Sequence, residues 1–284
     1  MNKEKLPDRD EKNEKMKILF KDIEERLNKI DKMQNKILNL LCDNENSTLN
    51  NEKKLKLKLQ QTLQPKLQQK VQTKLRLKKC YGNISYWDER YTNEEEQFDW
   101  HQKWCSVKHI FSELDVRNDA KILNVGCGTS RFSEEMLDNG YTDITNIDAS
   151  AVCINKMKEM YKDKPNLKYI LMNVCDMKGF KNAEFDLIVD KACLDSVVCS
   201  EDSLKNVEEM LSEVSRVLKP EGVFVVISHA QPTYRLGYLQ KQDYKWNVAV
   251  KTVKRPMLGI VAPPVDDSLH YVYICKKGST TTQQ

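Results

Sequence analysis

Gly126 and Gly128 stand in the turn VGCGTSR, and Asp148 follows the first of them by 22 residues. Glycines let a backbone turn sharply and approach a ligand closely. A carboxylate about 20 residues on, at the tip of the next strand of a β-α-β unit, can accept both hydroxyls of a ribose. The other role open to Asp148, capping the helix that begins beside it, is already filled by Ser150. Asn173, at the expected tip of a third strand, can present its side-chain carbonyl to the exocyclic amine of an adenine. Val174 offers backbone polar groups and an apolar wall. The chemistry these residues point to is nucleoside binding. A dinucleotide fingerprint would ask for a third glycine at 131, and Arg131 there weighs against NAD.

The elements that must hold these residues read as alternating strands and helices. KILNVG (121–126), DITNID (143–148), LKYILMNV (167–174), FDLIVD (185–190) and GVFVVISHA (222–230) are apolar strands. Helices are expected from 131 to 139, from Ser150 onward, and over DSLKNVEEMLSEVSRVL (202–218), the last closed by KPEG. Unbroken apolar strands in β-α alternation indicate a parallel sheet covered on both faces. All three strand tips then lie at the carboxyl end of one sheet, at its switch point, where open α/β sheets bind ligands. KWNVAVKTV and SLHYVYICKK have no crossover helix between them and should pair antiparallel. The expected fold is therefore α/β and Rossmann-like, a mostly parallel seven-stranded sheet ending in an antiparallel hairpin. That is the sheet of class I methyltransferases, which use S-adenosylmethionine.

Upstream of the glycine turn, aromatics gather in YWDERY (86–91) and FDWHQKW (98–104). They are either core or half of a binding site. With ILNVGCGTS, NIDAS, FDLIVDKACLDSV and LSEVSRVLKPEGVFVVIS, these stretches resemble the eukaryotic methyltransferases that modify lysine on translation elongation factor 1-alpha. The resemblance spans about 81–278. Its most specific parts are the aromatic opener and the D-K-x-x-L-D element after the fourth strand. It implies a protein-lysine methyltransferase in which the opener closes over S-adenosylmethionine. It implies that Trp87, Tyr91, Trp100, Gly126, Asp148, Ala149, Asn173, Val174 and Lys191 form the cofactor site. Asn173 stands where the family commonly has aspartate, Ala149 replaces a larger residue, and Asn124, in the first strand, replaces an apolar or acidic one. Asp190, Asp195 and His229 are candidates to position the acceptor amine or take its proton, and the sequence does not choose among them. Two alternatives stay open: methyl transfer to a small molecule, and a non-catalytic S-adenosylmethionine-binding scaffold.

Residues 1–80 belong to a different kind of chain. They carry 21 Lys/Arg against 12 Asp/Glu, whereas the rest carries 25 against 30, as a basic extension on a more acidic domain would. Met16, Phe20, Ile23, Leu27, Ile30, Gln34, Ile37 and Leu41 mark a heptad seam over 16–41. It suits either a short coiled coil for self-association or partner pairing, or a helix docked on its own domain. The basic low-complexity linker over 51–79 has no acid from 53 onward and is broken by Pro65. It reads as a solvated linker capable of weak, sequence-blind RNA contact, because it lacks aromatics for stacking. Residues 279–284 are an expected disordered tail. Nine scattered cysteines without C-x-x-C spacing, and four histidines without a ligand pattern, predict reduced thiols, no metal and a cytoplasmic protein. No apolar stretch reaches spanning length and no apolar h-region opens the chain, so neither a membrane helix nor a secretory signal is expected.

Overall fold

A computed structural model of the chain describes residues 81–94, 96–256 and 269–279. The heptad seam, the basic linker and the tail beyond 279 lie outside the described residues.

The strands are β1 (Lys121–Val125), β2 (Asp143–Asp148), β3 (Leu167–Leu171), β4 (Phe185–Lys191), β5 (Leu218–Ser228), β6 (Trp246–Lys254) and β7 (Leu269–Lys277). They form one seven-stranded sheet in the order β3-β2-β1-β4-β5-β7-β6. The first five run parallel, and β7 pairs antiparallel with both β5 and β6. The order reverses between β1 and β4, which makes their carboxyl ends the switch point. Ile122, Leu123 and Val125 are fully buried, as expected of a central strand covered on both faces.

The helices are α1 (Ile84–Asn93), α2 (Trp104–Phe111), α3 (Phe132–Asp138), α4 (Ala151–Met160), α5 (Cys193–Val197), α6 (Ser203–Val217) and α7 (Pro232–Leu239). In α6, Val207, Met210, Leu211, Val214 and Val217 form one buried face against the sheet. Each such side chain contributes about 1.5–3 kcal/mol of burial. Among the described residues no helix is long and apolar enough to cross a membrane.

Two boundaries differ from the sequence reading. KPEG does not end a helix in a loop: Leu218 already pairs with Phe185 at the start of β5, across a register irregularity. The third strand stops at Leu171, so Asn173 and Val174 sit in the turn after it. There the Asn173 side-chain oxygen, Oδ1, accepts from the Cys175 N–H at 3.0 Å, the local bond by which asparagine makes turns.

Asn124, in the middle of β1, acquires an explanation. It lies opposite Asn146 of β2. Its amide donates to Ser133 Oγ at 2.9 Å and to Asn146 Oδ1 at 3.2 Å, and Ser133 Oγ donates to the same Asn146 oxygen at 2.5 Å. All three are buried, so a closed polar network replaces apolar packing between β1, β2 and α3.

Candidate functional site

The ends of β1, β2 and β4, the turn after β3, and the segment ahead of β1 enclose a cavity of about 310 Å³. All nine residues expected at the cofactor line it. Trp87, Tyr91 and Trp100 come from the leading segment, Gly126 follows β1, and Asp148 and Ala149 stand at the end of β2. Asn173 and Val174 follow β3, and Lys191 ends β4.

Both turn glycines are in the left-handed region, with φ of 57° at Gly126 and 54° at Gly128. A Cβ on Gly126 would stand 2.6 Å from Cys193 Sγ, and one on Gly128 3.0 Å from the Tyr91 hydroxyl. The turn therefore needs glycine for conformation and for clearance. Arg131 has turned out of the site and pairs with Glu134 at 3.0 Å.

Asp148 is buried. One carboxylate oxygen accepts from the Gly128 N–H and the other from the Ser150 N–H, each at 2.9 Å. Burial raises its pKa while those two N–H groups oppose the rise. Each oxygen can accept a second hydrogen bond, and two further acceptors are what a pair of ribose hydroxyls requires. The capping role falls to Ser150, whose hydroxyl accepts from the Cys153 N–H at 3.2 Å.

The leading segment is a cover. Trp87 stacks on Tyr91 with ring centroids 5.8 Å apart, and Trp100 meets Trp87 edge-on at 6.0 Å. The Trp87 indole N–H donates to the Tyr81 carbonyl at 2.8 Å. Two aspartates fasten the cover to the sheet. Asp88 accepts from the Ser150 hydroxyl at 2.6 Å. Asp99 accepts from the Ser130 hydroxyl and pairs with Lys191 Nζ at 3.1 Å. Lys191 also donates to the Trp100 carbonyl at 3.1 Å. Burial lowers the Lys191 pKa and Asp99 opposes it. Lys191 lines the cavity as expected, and its ammonium is engaged in holding the cover down.

The aromatic cluster divides. Trp87, Tyr91 and Trp100 face the cavity, whereas Trp104 is 4% exposed and packs among Phe111, Phe132 and Tyr141.

A second cluster stands beyond the ends of β4 and β5. Both oxygens of the fully buried Asp190 accept from the start of α5, one from the Cys193 N–H and the other from the Leu194 N–H, each at 2.9 Å. Burial, with Asp195 nearby, pushes its pKa up to about 8. Asp195 collects more donors. Its Oδ2 lies 2.7 Å from His101 Nε2 and 2.8 Å from His229 Nδ1. Its Oδ1 accepts from Ser228 Oγ at 2.5 Å and from Arg235 Nη2 at 2.7 Å. Burial works to raise its pKa, but His101, His229 and Arg235 hold the carboxyl well below the usual range. Burial pushes the His101 pKa down against Asp195. His101 and Arg235 escaped the sequence reading. A lone histidine after DW, with φ of 60°, carries no periodic signal, and its partner is 94 residues away.

Among the described residues, His101, Asp195 and His229 could converge on a cation, as could Cys127, Asp148 and Cys153. In the first group Arg235 already supplies a positive charge to Asp195, which disfavours a second cation. In the second, a thiol–thiol hydrogen bond and burial hold the Cys127 thiol well above its usual pKa, so it is a poor source of thiolate. The seven cysteines among the described residues form no disulfide with one another.

Comparison with known proteins agrees with this geometry. A family model described as a methyltransferase domain matches residues 123–226. The chain is 30% identical over 182 residues to the Bos taurus protein named EEF1A lysine methyltransferase 4, covering 60% of this chain and 71% of that one. It is 36% identical over 160 residues to the Bos taurus eEF1A lysine and N-terminal methyltransferase, covering 54% of this chain and 22% of the relative. A solved chain described under the conversion of a disulfide bond into a thioacetal group during echinomycin biosynthesis superposes with a TM-score of 0.51. It is 14% identical and covers 70% of this chain and 95% of its own, which concerns the fold alone.

Proposed function

We propose, from the premise that this chain belongs to the S-adenosylmethionine-dependent methyltransferase family of EEF1A lysine methyltransferase 4, that it methylates lysine on translation elongation factor 1-alpha. The observation that carries the reading is the cover. The YWDERY and FDW stretches, the most specific part of the family resemblance, lie fastened over the strand ends whose glycines and aspartate suit a nucleoside.

When bound, S-adenosylmethionine supplies a methyl group already activated on a sulfonium. The chain has then to bind, align and exclude water, and alignment alone is worth about 7–11 kcal/mol. The nine expected residues and Gly128 serve the cofactor: Asp148 receives the ribose hydroxyls, and Gly126 and Gly128 admit the backbone to close contact. Asn173 and Val174 meet the adenine, while Ala149 adds a backbone contact and a small wall. Trp87, Tyr91 and Trp100 present ring faces, which attract a cation by about 0.5–2 kcal/mol. Lys191 serves by fixing the cover through Asp99.

The domain extends over 81–278, with 1–80 an extension that contributes a coiled-coil partner contact or self-association, and weak RNA contact through its basic linker. The protein works in the cytoplasm. The sequence supports these readings through its heptads, its acid-free basic stretch and its scattered cysteines without C-x-x-C spacing.

The test is to incubate the full chain with labelled S-adenosylmethionine and purified elongation factor 1-alpha, and to map methylated peptides. Methyl groups on lysine are expected. Label confined to small molecules, or none despite cofactor binding, would replace the reading. Deleting residues 1–80 should spare cofactor binding, and deleting 1–104 should abolish it. Equal binding by both would detach the aromatics from the site.

A further inference from the structure

Three groups near the ends of β4 and β5 could take a proton from the acceptor amine, and burial and hydrogen bonding dispose of two. Asp190 is fully buried behind the cavity wall, and each of its oxygens accepts from the start of α5. Asp195 is surrounded by donors from the cover, β5 and α7. We infer that the imidazole of His229 receives the proton of the substrate lysine, and that Asp195 is the residue that positions it. This rests on the lysine-methylation reading above.

Position supports the assignment. Lys191 pairs in register with Ile227, and the Ala192 N–H donates to the Ile227 carbonyl at 3.1 Å. Ala192 and Cys193 line the cavity, and His229, two residues past Ile227, reaches Asp195, two residues past Cys193, at 2.8 Å. The His229 side chain is 56% exposed, against 10% for His101, so of the two histidines on Asp195 it is His229 that a lysine arriving from solvent can meet.

The tautomer follows from the partner. An ionised Asp195 can only accept, so Nδ1 of His229, 2.8 Å from it, carries hydrogen. That leaves the lone pair on Nε2, on the far side of the ring. His101, Ser228 and Arg235 prevent Asp195 from turning away. The cover contributes to this directly, because His101 reaches Asp195 from a left-handed backbone conformation, φ 60°. Such conformations persist where the surrounding structure enforces them, often at functional sites. The ionisable groups around His229 are Asp195 on α5, Arg235 on α7 and His101 on the cover, its ring 5.4 Å away. Lys191 on β4 and His270 on β7, 4.9 Å from His101, stand behind them.

In the step, an N–H bond of the substrate ammonium breaks and an H–Nε2 bond forms on His229. The electron pair of the broken bond remains on nitrogen as the lone pair that accepts the methyl group. Asp195 balances the imidazolium charge, and the proton passes from the exposed ring to water.

The test compares the full chain with its His229→Gln variant on purified elongation factor 1-alpha, at saturating S-adenosylmethionine. Positioned general bases contribute roughly a hundredfold to ten-thousandfold, so kcat should fall by that much near neutral pH while S-adenosylhomocysteine binding is unchanged. The deficit should shrink towards the ordinary lysine pKa of about 10.4, where the substrate loses its proton unaided. A merely structural role would give the same deficit at every pH. A pH-independent deficit, or none, overturns the assignment. Independently of turnover, nitrogen-15 NMR of the S-adenosylhomocysteine-loaded protein should show His229 with hydrogen on Nδ1, a preference lost in Asp195→Asn. Hydrogen on Nε2 in the unaltered protein overturns it as well. An unaltered chain that binds S-adenosylhomocysteine but methylates no lysine at any pH instead refutes the parent reading, and this one with it.

Discussion

Replacing Asp148 by alanine separates cofactor recognition from folding. The carboxylate has two accepting positions engaged by the Gly128 and Ser150 N–H groups and others facing the cavity. Loss of two ribose hydrogen bonds to a charged acceptor, each worth about 1.5–3 kcal/mol, removes about 3–6 kcal/mol of binding. At about 1.4 kcal/mol per decade, that is roughly a hundredfold to ten-thousandfold in Kd. Stability should fall too, since two N–H groups lose a partner at about 1–3 kcal/mol each wherever water does not replace it. The assay is calorimetric titration with S-adenosylhomocysteine, at a temperature where circular dichroism shows the variant folded. Asp148→Asn keeps one acceptor oxygen and should fall between the two. A folded Asp148→Ala protein with the original affinity would refute the ribose assignment.

Gly128→Ala imposes a left-handed cost of about 1–2 kcal/mol and sets a Cβ 3.0 Å from the Tyr91 hydroxyl. Cofactor affinity should drop, and adding Tyr91→Phe should restore part of it in the same titration; no restoration would acquit the contact. Asp99→Ala leaves the buried Lys191 ammonium without its carboxylate, a loss of about 3–5 kcal/mol. Urea denaturation should show that deficit, and a milder one when Lys191→Met is added. Burial holds the His270 pKa down at about 4. Between the unfolded value of about 6.5 and 4, the unfolded chain binds a proton that the folded one does not. Stability is therefore lost as pH falls through that window. His270→Leu should reduce the drop in Tm between neutral and mildly acidic solution, and an undiminished drop would point to other groups.

The sheet was legible because buried parallel strands are written as short apolar runs. KILNV, DITNID and FDLIVD bound β1, β2 and β4 within a residue. That the glycine turn and Asp148 meet at one cavity was legible because their separation along the chain spans one β-α-β unit. The short α5 and α7 have too few turns to show a period, although Pro232 at the start of α7 is a recognised first-turn residue. The fate of Trp104 could not be read beside that of Trp100. They stand four positions apart, and which ring faces the cavity depends on where α2 begins. The hub at Asp195 was half visible. Asp195 and His229 stood near strand ends, but His101 and Arg235 join them only through tertiary contact.

The network of Asn124, Ser133 and Asn146 bears on how this sequence can change over time. Replacing any one member takes a hydrogen-bond partner from each of the other two, which stay bonded to each other, and each buried polar atom left unmet costs about 1–3 kcal/mol. Replacing all three with apolar residues of matching volume could be close to neutral for the same reason. Two acceptable cores are thus divided by intermediates that are worse than either, and the order in which substitutions arise decides whether they survive. A chain that has once acquired the three polar residues tends to keep them, whether or not they contribute to its chemistry. Their persistence among descendants would then record coupling between neighbours, and an invariant Asn124 would be no evidence that it touches a ligand.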